Sequence, residues 1–154
     1  MKTIGNKTPL STRSLGNIGE AIACLVLKKK NYRIIEQNFN TGIGEVDIIA
    51  AIGGTLVFIE VKTRTSDDFG SPSESMDSSK VLKIRKAAGC YLTRNDVEIF
   101  RNFRFDIITI MVKKNILRTA LQKIFKDEIN GNDIKKIAPM MMNSCIIEHI
   151  ESAF

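Results

Sequence analysis

The run Thr55–Lys62 constrains the fold of this chain more than any other segment. Its alternating side chains are apolar on both faces until the run reaches its charged end: Leu56 and Phe58 on one face, and Val57, Ile59 and Val61 on the other. A strand that is apolar on both faces is covered on both sides, usually by helices. The Gly53-Gly54 pair before it predicts a tight hairpin with the strand at residues 45–51.

Periodicity along the rest of the chain predicts alternating helices and strands. Helices are expected at about Leu15–Lys30 with Ser14 as N-cap, from Asp77 or Ser78 to about Thr93, and at 116–128. Further strands are expected at 32–39, 104–112 and 145–150. Gly131 and Pro139 are expected to break the chain after the third helix. This order predicts an α/β fold with a mixed sheet flanked by helices. The helical crossover makes the third and fourth strands parallel.

Length and composition predict a single domain after a short arm. The chain has 154 residues, which suits one hydrophobic core. Residues 1–13 contain Lys2, Lys7 and Arg13 and no acid, so we expect a flexible basic arm before a domain spanning 14–154. No run of eighteen apolar residues predicts a membrane span, and the N-terminus lacks the apolar centre of a signal peptide. A cytoplasmic location is therefore expected.

The net charge favours an anionic partner. It is +6, and the sequence pI is about 9.3. Such a balance favours nucleic acid first and a membrane surface second, so we expect a nucleic-acid partner and no membrane. The alternative is that Lys and Arg only solvate the surface.

Three charged residues stand where two apolar strands predict a core. Asp47 lies in the second predicted strand, and Glu60 and Lys62 close the third. Cross-strand neighbours in a hairpin lie about 5 Å apart. Carboxylates held this way suit Mg²⁺ or Mn²⁺, and hard cations of this kind assist phosphodiester hydrolysis. The alternative is a weak surface ion pair between Glu60 and Lys62. Asp133-Ile134-Lys135 has the same acid-x-lysine pattern, in a predicted loop.

Basic residues crowd the first half of the second predicted helix. Lys80, Lys83 and Arg85 lie there, directly after the polar loop that follows the acid-x-lysine triplet. A loop and helix start at this position would meet a phosphate backbone. The alternative is an ordinary exposed helix face.

An ordered set of motifs resembles a known bacterial family. They are Gly16–Ala21, Asn38, Gly44–Ala50, Val57–Arg64, Phe69-Gly70, Pro72, Lys80, Tyr91-Leu92 and Arg104–Asp106, and the closing His149–Phe154 also fits. Together they resemble the YraN family, which is similar to archaeal Holliday-junction resolvases and to the PD-(D/E)xK nuclease superfamily. The length of residues 113–144, an extended segment without an assigned role, departs from that family pattern.

The resemblance implies a restriction-endonuclease-like three-layer α/β/α fold and a nuclease site. It assigns metal binding to Glu20, Asp47 and Glu60, with Lys62 as a further catalytic residue. It also makes Lys80 a candidate phosphate contact. Arg64, in the same motif as Lys62, is a further candidate nucleic-acid-binding residue, together with Lys83 and Arg85.

We therefore expect a Mg²⁺- or Mn²⁺-dependent endonuclease acting on DNA rather than RNA, with branched or structured DNA as a candidate substrate. A homodimer would be the simplest way to cut two strands symmetrically. Two alternatives remain open: a nucleic-acid-binding protein that keeps the nuclease fold without catalysis, and a scaffold with a structural ion cluster.

Overall fold

A computed structural model describes residues 11–65, 77–113, 115–117 and 130–154 of the chain. The helices are α1 (Thr12–Lys29), α2 (Ser78–Arg94) and α3 (Gly131–Met142), and the strands are β1 (Arg33–Asn40), β2 (Glu45–Ile52), β3 (Thr55–Thr65), β4 (Asn102–Val112) and β5 (Cys145–Ile150). Asn115 to Leu117 are also helical, and the rest of the helix expected at 116–128 lies outside the described residues, as does most of the basic arm. The part of the chain that the structure describes has no helix long and apolar enough to span a membrane.

The five strands form one mixed sheet in the order β1-β2-β3-β4-β5. Only β3 and β4 pair in parallel, as the helical crossover predicts, and the other neighbours are antiparallel. Gly53 and Gly54, with φ of 54° and 79°, form the β2–β3 turn. Two positive φ angles match the twist of the flanking strands, which explains the glycine pair.

Helices cover both faces of the sheet, so the three-layer α/β/α fold expected from the sequence is confirmed. On one face, α1 and α3 pack over Ile48, Val57, Ile59, Ile108 and Ile110, all fully buried. On the other face, α2 packs through Ile84, Ala87, Ala88 and Tyr91 against Ile49, Leu56 and Phe58. The central strand β3 is therefore buried on both faces, as its two apolar faces predict.

Two predictions about helix boundaries were wrong. The N-cap of α1 is Ser11 and not Ser14, because the Ser14 backbone N–H donates to Ser11 Oγ at 3.1 Å. The helix consequently begins at Thr12.

The predicted breaks at Gly131 and Pro139, and the loop between them, are replaced by α3. Asn130 and Asp133 form a capping box that starts this helix, which gives Asp133 a structural contact. Pro139 lacks the N–H of a helical hydrogen bond, yet the helix continues because the buried residues Ile137, Ala138 and Met141 pack into the α1 side of the core.

Candidate functional site

The candidate site lies in the fork where β2 separates from β3. The paired residues of these strands end at Ile48↔Ile59, whereas β1 and β2 stay paired as far as Asn40↔Glu45. Continuing the register by one residue sets Asp47 opposite Glu60. Both side chains point to the α2 side of the sheet, because Ile49 and Phe58, two residues away on each strand, pack against α2.

Asp47 is fixed in the fork by the backbone of β3. Its Oδ2 accepts a hydrogen bond from the Val61 N–H at 2.7 Å. The carboxylate thus satisfies a backbone donor where the paired residues of β2 and β3 have ended. Burial raises the pKa of Asp47, and the hydrogen bond from Val61 and the charge of Lys80 partly offset this rise.

Glu60 is a buried carboxylate, and the described residues pair only one of its oxygens. The residue is 4% exposed, and its Oε1 contacts Lys80 Nζ at 2.8 Å. Glu60 Oε2 is also buried and has no hydrogen-bond partner among the described residues. Burial, and then the charge of Asp47, raise the pKa of Glu60 to about 7. A buried acid with an unsatisfied oxygen is costly to ionise unless a cation joins it.

Glu20 reaches the same group of charges from α1. It is half-buried, and burial followed by the charge of Asp47 raises its pKa, while a hydrogen bond with Asn38 lowers it. Asn38 belongs to β1, between the partners of Ile48 and Val46, and has a positive φ of 55°. Left-handed backbone is uncommon outside glycine, and asparagine is among the residues that tolerate it best. The structure therefore places Glu20, Asp47 and Glu60 in one interacting set of acids.

Two glycines allow the close packing that assembles the site. A Cβ on Gly44 would lie 2.1 Å from the Lys83 carbonyl oxygen, so the β1–β2 turn rests directly on α2. A Cβ on Gly19 would lie 1.8 Å from Thr63 Oγ1, so α1 rests equally closely on β3. Larger side chains would separate the helices from the strands that carry Asp47 and Glu60.

A surface cleft of about 320 Å³ adjoins the acids. It is lined by Asn40, Gly42, Ile43, Gly44, Glu45, Lys80, Lys83 and Ile84. Lys80, the candidate phosphate contact, is paired with Glu60 at the acidic site and also lines the cleft, as Lys83 does. Arg85 is exposed on the same helix, about 140° around the axis from Lys80. Lys62 and Arg64 are half-buried and follow Glu60 on the same side of β3.

Comparison with known proteins identifies the family that shares this region of the chain. The profile described as "Uncharacterised protein family UPF0102" matches residues 19–110, which run from α1 into β4 and include all of these acids.

The chain belongs to this family.

The resemblance to the YraN family is thereby confirmed. A UPF0102 protein of Alkaliphilus oremlandii is 45% identical over 101 residues, which cover 65% of this chain and 86% of the relative. One from Caldanaerobacter subterraneus subsp. tengcongensis is 42% identical over 124 residues, which cover 80% of this chain and 94% of the relative. A third, from Persephonella marina, is 46% identical over 101 residues, which cover 66% of this chain and 85% of the relative.

A second polar network in this UPF0102 protein is buried on the α1 side of the sheet. Asp106 is fully buried and accepts hydrogen bonds from Arg104 Nε at 3.0 Å and from the Ser152 N–H at 3.0 Å. Its Oδ2 lies 2.9 Å from His149 Nε2, and Lys30 Nζ lies 3.1 Å from His149 Nδ1. These partners lower the pKa of Asp106 despite its burial.

The Asp106 network anchors the C-terminal turn to β4 on the α1 side, and Phe154 stacks on Phe105 on the α2 side of the sheet. These contacts give His149 a structural role. The roles of Asn38 and Asp106 were missed, although both residues occur in the family motifs. Neither residue had an assigned chemical role, because Asn38 meets Glu20 of another element, and His149 and Ser152 lie 43 and 46 residues from Asp106 in the sequence.

The donor set of the fork fits a hard divalent cation. Mg²⁺ and Mn²⁺ prefer carboxylate oxygens, and Glu60 Oε2 is a buried acceptor that lacks a donor among the described residues. After burial, the charge of Asp47 is the largest cause of the raised pKa of Glu60, and a cation beside the two acids would offset that repulsion. Within the described ranges, no three His, Cys, Asp or Glu side chains already stand in positions to hold one ion together.

Proposed function

We propose that this UPF0102 protein is a metal-dependent nuclease that hydrolyses phosphodiester bonds in DNA, in a fold of the PD-(D/E)xK type. The observation that carries the proposal is the buried, half-satisfied carboxylate of Glu60 beside Asp47 at the fork of two strands. Burial of charge that stability does not require is typical of functional sites. The cleft beside the fork and the net charge of +6 suit a polyanionic substrate.

In this mechanism Asp47 and Glu60 would hold Mg²⁺ or Mn²⁺, with Glu20 as a third acid on the α1 side. Such an ion would supply Lewis acidity for the phosphate and lower the pKa of a water molecule. The Val61 N–H keeps the Asp47 carboxylate oriented, so it loses no freedom when substrate binds. Lys62, on the same side of β3 as Glu60, orients the attacking water through its ammonium group.

The remaining basic residues bind the substrate backbone in this proposal. Lys83 faces the cleft directly, and Arg64 and Arg85 extend the positive surface on β3 and α2. Each phosphate contact adds affinity that falls with salt concentration. These contacts are independent of base sequence, which suits an enzyme that recognises DNA shape.

The test is cleavage by Asp47→Asn and Glu60→Gln on a panel of duplex, single-stranded, branched and RNA substrates with Mg²⁺ or Mn²⁺. Asn at position 47 keeps an oxygen that accepts from the Val61 N–H, so the fork stays closed. We expect each substitution to reduce cleavage by at least about 100-fold, because each removes a charged ligand. Glu148→Gln, an exposed acid on β5, is the matched control and should cut like the unaltered protein.

A purified full-length protein that cuts no member of this panel with either ion would contradict the nuclease proposal. The second candidate, a binding protein without catalysis, is favoured by the Lys80 ammonium already paired with Glu60. In that case DNA binding would be sensitive to salt and unchanged by Mg²⁺ or chelator.

A further inference from the structure

We propose that Lys80 is a tethered cation that occupies the metal's place at Glu60, and that metal binding releases it to contact a substrate phosphate. This inference rests on the proposed function, because it describes how the same site is regulated. It assigns Lys80 two alternating partners, an acid before the metal binds and a phosphate afterwards. Metal binding and substrate binding would then be coupled through one side chain.

The first argument is the geometry of the ion pair. Lys80 Nζ lies 2.8 Å from Glu60 Oε1, and Glu60 is only 4% exposed. A divalent ion bound by Glu60 would compete for the same carboxylate. Two cations at one carboxylate repel each other, so the ammonium has to withdraw or the ion binds weakly.

The second argument is the oxygen that the ion pair leaves unsatisfied. Glu60 Oε2 is buried and has no donor among the residues that the structure describes. One ammonium therefore stabilises only half of the carboxylate, while Asp47 remains a repulsive neighbour. A divalent ion between the two acids would satisfy both, so the exchange of Lys80 for the ion is favourable.

The third argument is the route open to the released side chain. The Lys80 side chain is 42% exposed, and the residue lines the cleft together with Lys83 and Gly44. A change of side-chain rotamer would bring its ammonium group into the cleft without moving α2. The cleft would then carry two lysines, one helical turn apart, for the substrate backbone.

Lys83 offers a matched control for Lys80. It lies three residues later on the same helix and lines the same cleft, but it is exposed. Both lysines contribute to the positive electrostatic potential of the cleft, but of the two Lys80 is the one that forms an ion pair with Glu60. A difference between Lys80→Met and Lys83→Met therefore isolates the ion pair from the field.

The first experiment is calorimetric titration of Mn²⁺ into the full-length protein. We expect Lys80→Met to bind Mn²⁺ at least about tenfold more tightly than the unaltered protein, because its competitor is gone. Lys83→Met should change the Kd by less than about threefold, since its charge is screened by solvent. Lys80→Arg keeps the competing cation and should bind Mn²⁺ no more tightly than the unaltered protein.

A thermal shift measurement keeps the test valid if Lys80→Met is poorly stable. Without metal, this variant should have a lower Tm than the unaltered protein, and Mn²⁺ should raise its Tm by more than it raises that of the unaltered protein. An equal rise in Tm for Lys80→Met, Lys83→Met and the unaltered protein would overturn the inference and leave the nuclease proposal standing. Absence of Mn²⁺ binding in all of them would overturn both.

The second experiment follows the phosphate contact. DNA affinity is measured against salt concentration, with Ca²⁺ or with chelator. Lys83→Met should lower the salt slope by about 0.9 in both conditions, as expected for one lost phosphate contact. Lys80→Met should lower it only with Ca²⁺, because without the ion Lys80 is held by Glu60. A slope lowered equally in both conditions would show that Lys80 is an ordinary phosphate contact.

Discussion

The Glu60→Gln substitution should stabilise the metal-free protein at alkaline pH. Folding raises the pKa of Glu60 from an ordinary 4.5 to about 7. Its folded form therefore binds a proton more readily than the unfolded chain, so ionising Glu60 weakens the fold. This contribution to stability is fully present below pH 4.5 and is lost as the pH rises through 7.

The magnitude follows from the size of the rise in pKa. Each unit corresponds to about 1.4 kcal/mol, so the fold loses about 3 kcal/mol between roughly pH 4.5 and pH 7.5. Gln has no charge to bury and keeps an oxygen that accepts from Lys80. We expect Glu60→Gln to match the unaltered protein near pH 4.5 and to exceed it by about 3 kcal/mol at pH 8. For a chain of this length the gain is roughly 6–12 °C in Tm.

The assay is urea unfolding in chelator at several pH values, followed by circular dichroism. Glu148→Gln, which removes an exposed acid from β5 and keeps Glu60, should lose stability with rising pH in parallel with the unaltered protein. Adding Mg²⁺ at ten times its Kd should return about 1.4 kcal/mol to the unaltered protein and nothing to Glu60→Gln. If Glu60→Gln is destabilised by the same amount at pH 5 and pH 8, ionisation of Glu60 does not cause the loss of stability at high pH.

Two further substitutions test the packing and the second network. Gly44→Ala should destabilise the protein by about 1–3 kcal/mol and reduce cleavage, because the alanine Cβ would collide with the Lys83 carbonyl oxygen of α2. Gly89→Ala is the control, because Gly89 also lies on α2 and has open space where the Cβ would be. It should leave cleavage unchanged, and its stability in unfolding assays should be equal or higher. Asp106→Asn should cost about 3–5 kcal/mol at pH 7, because it leaves the cations around Asp106 without their counter-charge. This cost should shrink as the pH falls below 3.8 through the lowered pKa of Asp106, and unchanged stability at pH 7 would refute the role of the network.

Much of the fold followed from local pattern. The two apolar faces of Thr55–Lys62 require helices on both sides, and the structure confirms them. Gly53-Gly54 predicted the hairpin, because glycine adopts the positive φ of such turns at low cost. The α3 helix was missed because glycine and proline normally interrupt helices, while its capping box and its packing against the core favour the helix.

The candidate site was likewise predictable from the sequence only in part. Period-two alternation placed Glu60 and Lys62 on one side of a strand, Asp47 stood out as an acid in the neighbouring apolar strand, and the family motifs added Glu20. The strand register, which sets Asp47 opposite Glu60, depends on long-range pairing that the sequence does not specify. The partner of Glu60 also emerged only from tertiary structure: Lys80 lies twenty residues further along the chain, and the Gly44 contact with α2 helps to bring the two together.

The sequence by itself therefore determined which residue types line the site and which layers surround it, because hydrophobic periodicity acts over a few neighbours. Only the tertiary structure decided how buried each charge is and which cation it meets. Burial and ion pairing set the raised pKa of Glu60, and among the described residues they leave one of its oxygens without a donor, because both depend on distances between elements far apart in the chain.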